Sequence, residues 1–516
     1  MVKAVFVQRL RLIVACVVVV IGITVPLTAS AVPPGAVSAT ATFDYTQNMH
    51  PLGFSPNDVP LDNTVPGQGV FNSDLAFWGK TAVQGTYSGF RLVNVSAPAN
   101  PREIVDWTEC TSPTETTGNQ GDVIIWGDLL IRSWNSPTPA PHYPDGTTIP
   151  VTDPARFTTP GAFCGDWPMF REPAAPPLPE RGQEGVHIID ISDPTSPDVI
   201  GFVDIPCGSH TETLVPDLAN NRLLVYSNAS ANTTFGSPQP GEEPLNCRGM
   251  DVIEVPLGNP AAASYLRFEP SGDPSEPVTE HHACHDSAVI LGDAMKAACS
   301  GGNSMSIYRL DPADGGSLEN PMFMHHVELP AGVTVGHTAS FTWDGKYAIF
   351  GHEPGGGGQA RCSATGTPLP GGDQTDIQKT LFFLDVEAGE IAGTFLHPRP
   401  QTTLENCTWH NLNVVPTDKG YVLVAGNYQS GISVVDFTDV ANAKEIAYAD
   451  PAPLVDPNPP VGLELGGDWS TYWYDGFIYE SDITRGLIVW NLSDSAVAGA
   501  RKLGHLNPQT QEFTID

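Results

Sequence analysis

The chain has 516 residues and carries 58 Asp and Glu against 24 Lys and Arg, which gives a net charge of −34. This charge excludes partners that are held through a phosphate backbone, nucleic acids included. It favours a highly soluble protein, with adaptation to a calcium-rich or saline setting as the alternative explanation.

Residues 1–31 have the composition of an export signal. Three Lys and Arg residues open the segment, residues 12–25 form an apolar core, and the small residues ASA end it at position 31. Cys16 lies in a stretch, IVAC, that resembles a lipoprotein acylation box, so anchoring at Cys16 is the alternative. No later segment is apolar over the length needed to cross a bilayer. We therefore expect a secreted or extracytoplasmic mature chain with no membrane-spanning segment.

After an N-terminal extension at residues 32–70, the chain repeats one short phrase. The phrase is a glycine, an apolar strand that ends on Asp or Asn, and a Ser/Asp/Pro turn. It begins at Gly89, Gly185, Gly249, Ser304, Lys379, Gly431 and Gly486. Repeats of about 40–50 residues with several strands each are typical of β-propeller blades, because a single unit cannot bury its own face. The sequence predicts an all-β fold, a seven-bladed β-propeller in a single domain over residues 71–516.

Blade two of this propeller carries a long insertion at residues 133–184. The insertion has Pro at many positions. A segment of this composition is expected to be a surface excursion, and its sequence assigns it no regular structure.

With these phrases, the chain resembles the LVIVD-repeat family of secreted β-propeller proteins. The resemblance also rests on HNLNVVP from His410 and on GGDWSTYWYDGFIYESDITRGL from Gly466. Two phrases, at Ser304 and Lys379, lack the opening glycine. The resemblance covers essentially the whole mature chain; it implies a fold and no particular reaction.

In a propeller the first strand of each blade lines the central channel. Asp-Gly hairpin turns at Asp344 and Asp475 fix the register of two such strands. Seven residues before these turns stand His337 and Asp468. The same alignment in the other blades gives Asn72, Gln120, His210, His285 and His410. Four histidines therefore fall in consecutive blades at one height.

Three or four converging imidazoles are sufficient to bind a divalent metal such as zinc or copper. The alternative is that polar residues in a channel simply bond to their neighbours or to water. We predict His210, His285, His337 and His410 as metal ligands, with Asp468 as a ligand or orienting carboxylate and Asn72 and Gln120 completing the ring. Mutual repulsion should keep the imidazoles neutral near pH 7, so that the metal leaves below roughly pH 6.

Other polar residues are expected on the same face. Glu353 and Glu480, in loops between second and third strands, are candidate general bases or outer partners of a metal, with solvated loop acids as the alternative. His281 and His282 precede a first strand and are candidate additional ligands. The chain has no GxSxG motif for a nucleophilic serine.

Eight cysteines remain once Cys16 is set aside, and an even number in an exported chain indicates disulfides. All eight are placed in loops on the face that carries the histidines. The simplest pairing is Cys110–Cys164, Cys207–Cys247, Cys284–Cys299 and Cys362–Cys407. Bridges concentrated there would stiffen that face, although ordinary stapling of an exported protein explains them equally well.

Two functions fit this sequence. The first is an extracellular binding or scaffold protein that recognises a small molecule or another protein through its disulfide-stiffened face. The second is a metal-dependent hydrolase or oxidoreductase that uses the histidines as ligands. The spacing of the imidazole nitrogens discriminates between them.

Overall fold

The computed structural model of the chain describes its residues in several ranges. These are 42–57, 71–111, 120–173, 180–229, 247–276, 281–354, 376–399, 401, 405–406, 408–452 and 467–515. The predicted signal with Cys16, much of the N-terminal extension, and Cys362 and Cys407 lie outside the described residues. All the described residues belong to one unit, Val32–Asp516.

The described chain is all-β, and most of its strands form seven antiparallel sheets, numbered here by the order of their first strands. Sheet 1 contains Asn72–Trp78, Thr81–Thr86, Gly89–Asn94 and Arg102–Trp107, with His505–Leu506 beside the first strand. Sheet 2 contains Val123–Trp126, Leu129–Trp134, Gly185–Asp190 and Asp198–Asp204. Sheet 3 contains Thr211–Asp217, Arg222–Asn228, Gly249–Pro256 and Ser264–Pro270.

The remaining four sheets have the same order. Sheet 4 contains Asp286–Ile290, Lys296–Gly301, Ser304–Arg309 and Met322–Glu328, with the parallel strand Thr510–Gln511 beside the first. Sheet 5 contains Gly336–Phe341, Tyr347–His352, Thr380–Asp385 and Glu390–Leu396. Sheet 6 contains Leu412–Val414, Val422–Gly426, Ile432–Asp436, Lys444–Asp450 and Asp44–Tyr45. Sheet 7 contains Asp468–Tyr474, Phe477–Asp482, Gly486–Leu492 and Met49–Pro56.

Short elements complete the described structure. Two small sheets are formed by Cys110–Thr111, Ala162–Cys164 and Trp167–Met169, and by Arg171–Glu172 and Arg181–Gly182. The 3-10 helices are Pro154–Phe157, Leu218–Asn220, Pro260–Ala262, Pro312–Asp314, Asp376–Lys379 and Ser495–Val497. No helix in the described ranges is long and apolar enough to span a membrane.

Each repeated phrase supplies the third strand of its sheet. Gly185–Asp190 is representative, because every residue except its last Asp is buried. Strands buried on both faces read as continuous apolar runs, which explains why the phrase is so uniform. The apolar cores lie between neighbouring sheets: Phe77 of sheet 1, for example, stacks on Tyr474 of sheet 7 with ring centroids 4.5 Å apart.

The first strands of successive sheets contact one another in order, and the first strand of sheet 7 contacts that of sheet 1. The outer strand of sheet 7 does not follow its third strand in the chain. It is Met49–Pro56, which pairs antiparallel with Gly486–Leu492. Part of the N-terminal extension is thus paired with the last repeat.

A C-terminal segment, residues 505–515, crosses the far ends of the first strands of sheets 1 to 5, and we call it the C-terminal bridge. Its contacts include His505–Leu506 with sheet 1, Asn507 with Ile125, Thr510 with Leu214, Gln511 with Phe341, and Ile515 with Trp343. This one segment therefore joins five sheets through hydrogen bonds that are mostly buried.

The insertion at residues 133–184 is more ordered than its composition suggests. It contains a 3-10 helix and several short strands, and Ala162–Cys164 pairs with Cys110–Thr111. Ala162, Cys164 and Met169 pack into the apolar cluster shared by sheets 1 and 2. The composition predicted no regular structure for this segment, and the structure supplies some, because a few apolar residues among the prolines are buried.

Three of the predicted disulfides are present. Cys110–Cys164, Cys207–Cys247 and Cys284–Cys299 have Cα separations of 3.8, 5.4 and 5.4 Å. Disulfides are typical of extracellular proteins, so these bridges fit such a location.

Removing the Cys284–Cys299 bridge should destabilise the protein by about 3 kcal/mol, the chain-entropy value for a closed loop of this length. The bridge spans 15 residues. Urea denaturation of Cys284→Ser/Cys299→Ser against wild type measures the change. Full reduction of wild type should lower the urea midpoint further than the double substitution does, because reduction opens the other bridges too. An unchanged midpoint in the variant would show that the bridge does not constrain the unfolded chain.

Candidate metal centre

Four histidines lie side by side where the first strands of sheets 3 to 6 begin, and we call them the histidine cluster. They are His210, His285, His337 and His410. From His210 to His410 the successive ring centroids are 4.6, 4.3 and 4.1 Å apart. His285, His337 and His410 are buried, and His210 is half-buried. The strand starts therefore bring together the four imidazoles that the sequence singles out.

Glu353 enters this cluster from the end of the second strand of sheet 5. Its Oε2 lies 3.7 Å from Nε2 of His337, and its Oε1 lies 3.8 Å from Nε2 of His410. Tyr428 donates its hydroxyl to Oε1. One ring nitrogen each of His285 and His337 and one oxygen of Glu353 lie within 4.8 Å of one another. Glu353 is only 3 % exposed, so it is a buried partner of the histidines and not a solvated loop acid.

The hydrogen bonds fix which nitrogen of two imidazoles is free. Nδ1 of His410 bonds to the carbonyl oxygen of Trp469, which can only accept, so this nitrogen carries the proton. Thr338 donates its hydroxyl to the carbonyl oxygen of His410 and is therefore an acceptor for Nδ1 of His337, at 2.9 Å. In the neutral tautomers, Nε2 of both rings consequently presents a lone pair towards Glu353.

His210 differs from the others. The side-chain amide of Asn135 donates to its Nδ1 at 3.0 Å, and the same amide's oxygen accepts from Gln120 N–H. The proton of the neutral ring is then on Nε2, which makes His210 a donor. His210, His337, His410 and Gln120 line a cavity of about 20 Å³, enough for roughly one water molecule.

Burial controls the charge of the cluster. It lowers the pKa of His210 to about 4 and that of His410 to about 3. Burial first, and then repulsion by the neighbouring imidazoles, lowers the pKa of His285 and His337 well below the usual range. Burial raises the pKa of Glu353 to about 8, opposed by the hydrogen bond from Tyr428. The sequence led us to expect that mutual repulsion keeps the rings neutral down to roughly pH 6. In the structure desolvation is the larger cause, and the rings stay neutral at lower pH than that.

Buried carboxyl groups lie next to the cluster along the first strands. Asp74, Asp122 and Glu212 stand two residues after Asn72, Gln120 and His210. Burial raises the pKa of all three. The two-residue spacing alone does not place these acids, because the first strand of sheet 1 is bulged between Asn72 and Leu75 and the strands of sheets 2 and 3 begin only at Val123 and Thr211. The structure shows their position: Asp74 and Asp122 line the same small cavity as His210, His337 and His410.

The structure places Asp468 and Glu480 elsewhere than predicted. Asp468 groups with Glu480 and Asp482, and all three are buried. The first strands of sheets 5 and 7 are both bulged near their starts, between Gly336 and Ala339 and between Asp468 and Ser470. The hairpin loops differ, however: sheet 7 turns in two residues between Tyr474 and Phe477, whereas sheet 5 turns in four between Thr342 and Tyr347, so a count back from the Asp of each turn is displaced by one residue. Trp469 lies against His410 instead, with centroids 5.1 Å apart. Glu480 is a strand residue that accepts from the indole of Trp490 at 2.6 Å, not a loop acid.

Three further predicted positions are also separate from the imidazoles. Asn72 donates its side-chain amide to the carbonyl oxygen of Asp482 at 2.8 Å. His281 and His282 line a surface cavity of about 550 Å³ together with His326, whose ring centroid is 4.8 Å from that of His282. These two histidines are therefore not additional members of the histidine cluster.

Comparisons with known proteins give structural similarity only. No family model matches the chain, and no curated protein matches it in sequence. Similar solved structures include the β-propeller domain of Cps50 (Swd1) from Myceliophteria thermophila, with 8% identity, 82% of this chain and 97% of that chain covered, and a TM-score of 0.43. Hydrazine synthase from Kuenenia stuttgartiensis is 12% identical, with 84% and 98% covered and a TM-score of 0.44. A Lactobacillus plantarum protein is 11% identical, with 86% and 97% covered and a TM-score of 0.42. Similarities this low carry no argument about function.

Proposed function

We propose that this chain is an exported, LVIVD-like seven-bladed β-propeller that binds a divalent transition metal, zinc or copper, where its first strands meet. The ligands would be His285, His337, His410 and Glu353. His210 would stand beside them as a hydrogen-bond donor.

The propeller architecture is supported by the repeat and by contacts between strands. Each of seven phrases is the third strand of one sheet, and the first strands of sheets 1 to 7 contact one another in cyclic order. The pairing of Met49–Pro56 with Gly486–Leu492 joins the beginning of the described chain to its last repeat. Export is supported by the three disulfides.

The metal site is supported chiefly by the two oriented imidazoles. His337 and His410 each use Nδ1 for a hydrogen bond and direct Nε2 at the same carboxylate. Metal-binding histidines commonly donate their second nitrogen in this way, which fixes both the tautomer and the ring orientation. A mixed set of imidazoles and one carboxylate suits zinc and copper better than calcium or magnesium.

Equilibrium dialysis with zinc and with copper tests the proposal. Wild type should bind one metal ion per chain, and His285→Ala/His337→Ala should bind it at least about 100-fold more weakly. Even the loss of an outer hydrogen-bond partner typically lowers metal affinity by 10–100-fold, and this variant lacks two direct ligands.

The matched control is His282→Ala/His326→Ala, which removes a second pair of neighbouring histidines away from the histidine cluster. This variant should bind as wild type does. Equal binding by all three proteins would show that the cluster holds no metal, and the scaffold function alone would then stand.

A second candidate function, metal-dependent hydrolysis or oxidation, is favoured by Tyr428. Its hydroxyl touches Glu353, so it would lie next to a bound metal and could donate a proton to a substrate. If metal-loaded wild type hydrolyses an activated ester or oxidises a phenol, Tyr428→Phe should lose that activity and still bind the metal. Absence of both activities in the metal-loaded protein would leave metal binding as the function.

A further inference from the structure

The cavity beside the histidine cluster is lined almost entirely by polar side chains. Its wall contains two of the proposed metal ligands, His337 and His410, and also Gln509, which belongs to the C-terminal bridge. The cavity has a volume of about 20 Å³, which is room for roughly one water molecule. A ligand of that size would therefore lie beside both imidazoles.

Gln509 has a side-chain amide without a hydrogen-bond partner. The residue is only 6% exposed, and its backbone carbonyl accepts from the N–H of Val289 at 2.9 Å. The side-chain amide, in contrast, forms no hydrogen bond with any of the residues that the structure describes. A buried polar group of this kind needs an explanation, because nearly all such groups are paired in native proteins. An amide both donates and accepts, so a molecule in the cavity that does the same would satisfy it.

The rest of the wall also offers donors and acceptors. Asn135 donates its amide to Nδ1 of His210, so the neutral ring carries its proton on Nε2 and is a donor. Asp74 and Asp122 hydrogen-bond to each other, which two carboxyl groups can do only when they hold a proton between them. A wall that combines an imidazole donor with carboxyl and amide oxygens suits water, because water forms both kinds of bond.

We propose that this cavity holds an exchangeable ligand of the bound metal, and that the ligand is a single water molecule or hydroxide ion. This step rests on the proposed function, because it needs a metal at the histidine cluster. Copper(II) prefers a tetragonal arrangement and zinc can expand from four ligands to five, so four protein ligands leave a position for water. Metal centres that catalyse reactions keep such a position, whereas structural sites are closed. The small volume also excludes azide, an ion of three heavy atoms.

Electron paramagnetic resonance of the copper-loaded protein tests for this water directly. Water enriched in oxygen-17 should broaden the copper lines of wild type, because the nuclear spin of a bound oxygen couples to the metal. Gln509→Leu, which keeps the bulk of the side chain but removes the amide, should lose most of this broadening while copper stays bound. Gln509→Ala enlarges the cavity, so azide should bind the copper of this variant at least about 10-fold more tightly than that of wild type, as followed by its charge-transfer band.

The matched control is Thr510→Val, which alters the next residue of the C-terminal bridge, whose hydroxyl donates to the carbonyl oxygen of Leu214 at 2.6 Å. This variant should behave as wild type does in both measurements. Copper-loaded wild type without oxygen-17 broadening would overturn the inference alone, even if no variant folds. Full broadening in Gln509→Leu, or equal azide binding by wild type and Gln509→Ala, would also contradict it. A wild type that binds no copper would overturn the proposed function and this inference with it.

Discussion

A chain that ends at Gly504 should lose most of its folding stability. It lacks the C-terminal bridge, residues 505–515, whose hydrogen bonds join the first strands of sheets 1 to 5. Each buried hydrogen bond contributes about 1 kcal/mol, and burial of Leu506 and Ile515 contributes about 2 kcal/mol each. The total of roughly 5–10 kcal/mol is comparable to the whole stability of a typical protein.

Chemical denaturation followed by tryptophan fluorescence measures this loss. The truncated chain should unfold without a cooperative transition or at a much lower midpoint, and a synthetic peptide of residues 505–516 should restore part of it. The matched control is Phe513→Ala in the same segment: Phe513 is 36% exposed and packs on Trp343, so its loss should cost about 1–2 kcal/mol, well below the cost of the truncation. A truncated chain with the wild-type midpoint would show that the sheets hold together without the bridge.

The repeat and the hairpin turns were sufficient to predict the all-β fold and the meeting of four histidines. When a strand begins at a fixed distance from a hairpin turn, the face of the sheet to which each side chain points is also fixed. The residue pattern alone therefore aligns His337 with its equivalents in the other sheets. Asp468 could not be placed in this way, because the hairpin of sheet 7 turns in two residues and that of sheet 5 in four, and the shared Asp-Gly pair does not show this difference. Trp469 therefore contacts His410 instead of Asp468.

The sequence made Glu353 a candidate general base or outer partner of a metal, but it could not decide between that role and a solvated loop acid. Glu353 follows a second strand and precedes a glycine-rich stretch, a position at which an acid is usually solvated. Only the packing of Tyr428 and two imidazoles around it shows that it is buried. The C-terminal bridge could not be predicted for a related reason: its short polar residues have no periodicity, and their partners lie on five different sheets.

The carboxyl groups near the histidine cluster should make the stability of the protein fall as pH rises, and Asp251 shows this most clearly. Burial raises its pKa to about 7 from an ordinary value of 3.8. Asp251 is close enough to Glu212 for its charge to raise the pKa of that residue, so the two belong to one buried acidic group. The folded protein is therefore most stable when these carboxyl groups are protonated.

Between pH 4 and 7 the folded protein holds a proton on Asp251 that the unfolded chain has released. Folding stability therefore falls as pH rises through this window and levels off above it. Asp251→Asn removes this dependence, so the free energy of unfolding of the variant relative to wild type should rise by about 3–4 kcal/mol from pH 4 to pH 8. Urea denaturation of both proteins at several pH values measures the difference.

Asp198→Asn, at an exposed strand start, should leave the slope as it is in wild type. Parallel pH profiles for Asp251→Asn and wild type would mean that Asp251 is ionised in the folded protein, with a cation or a donor group beside it.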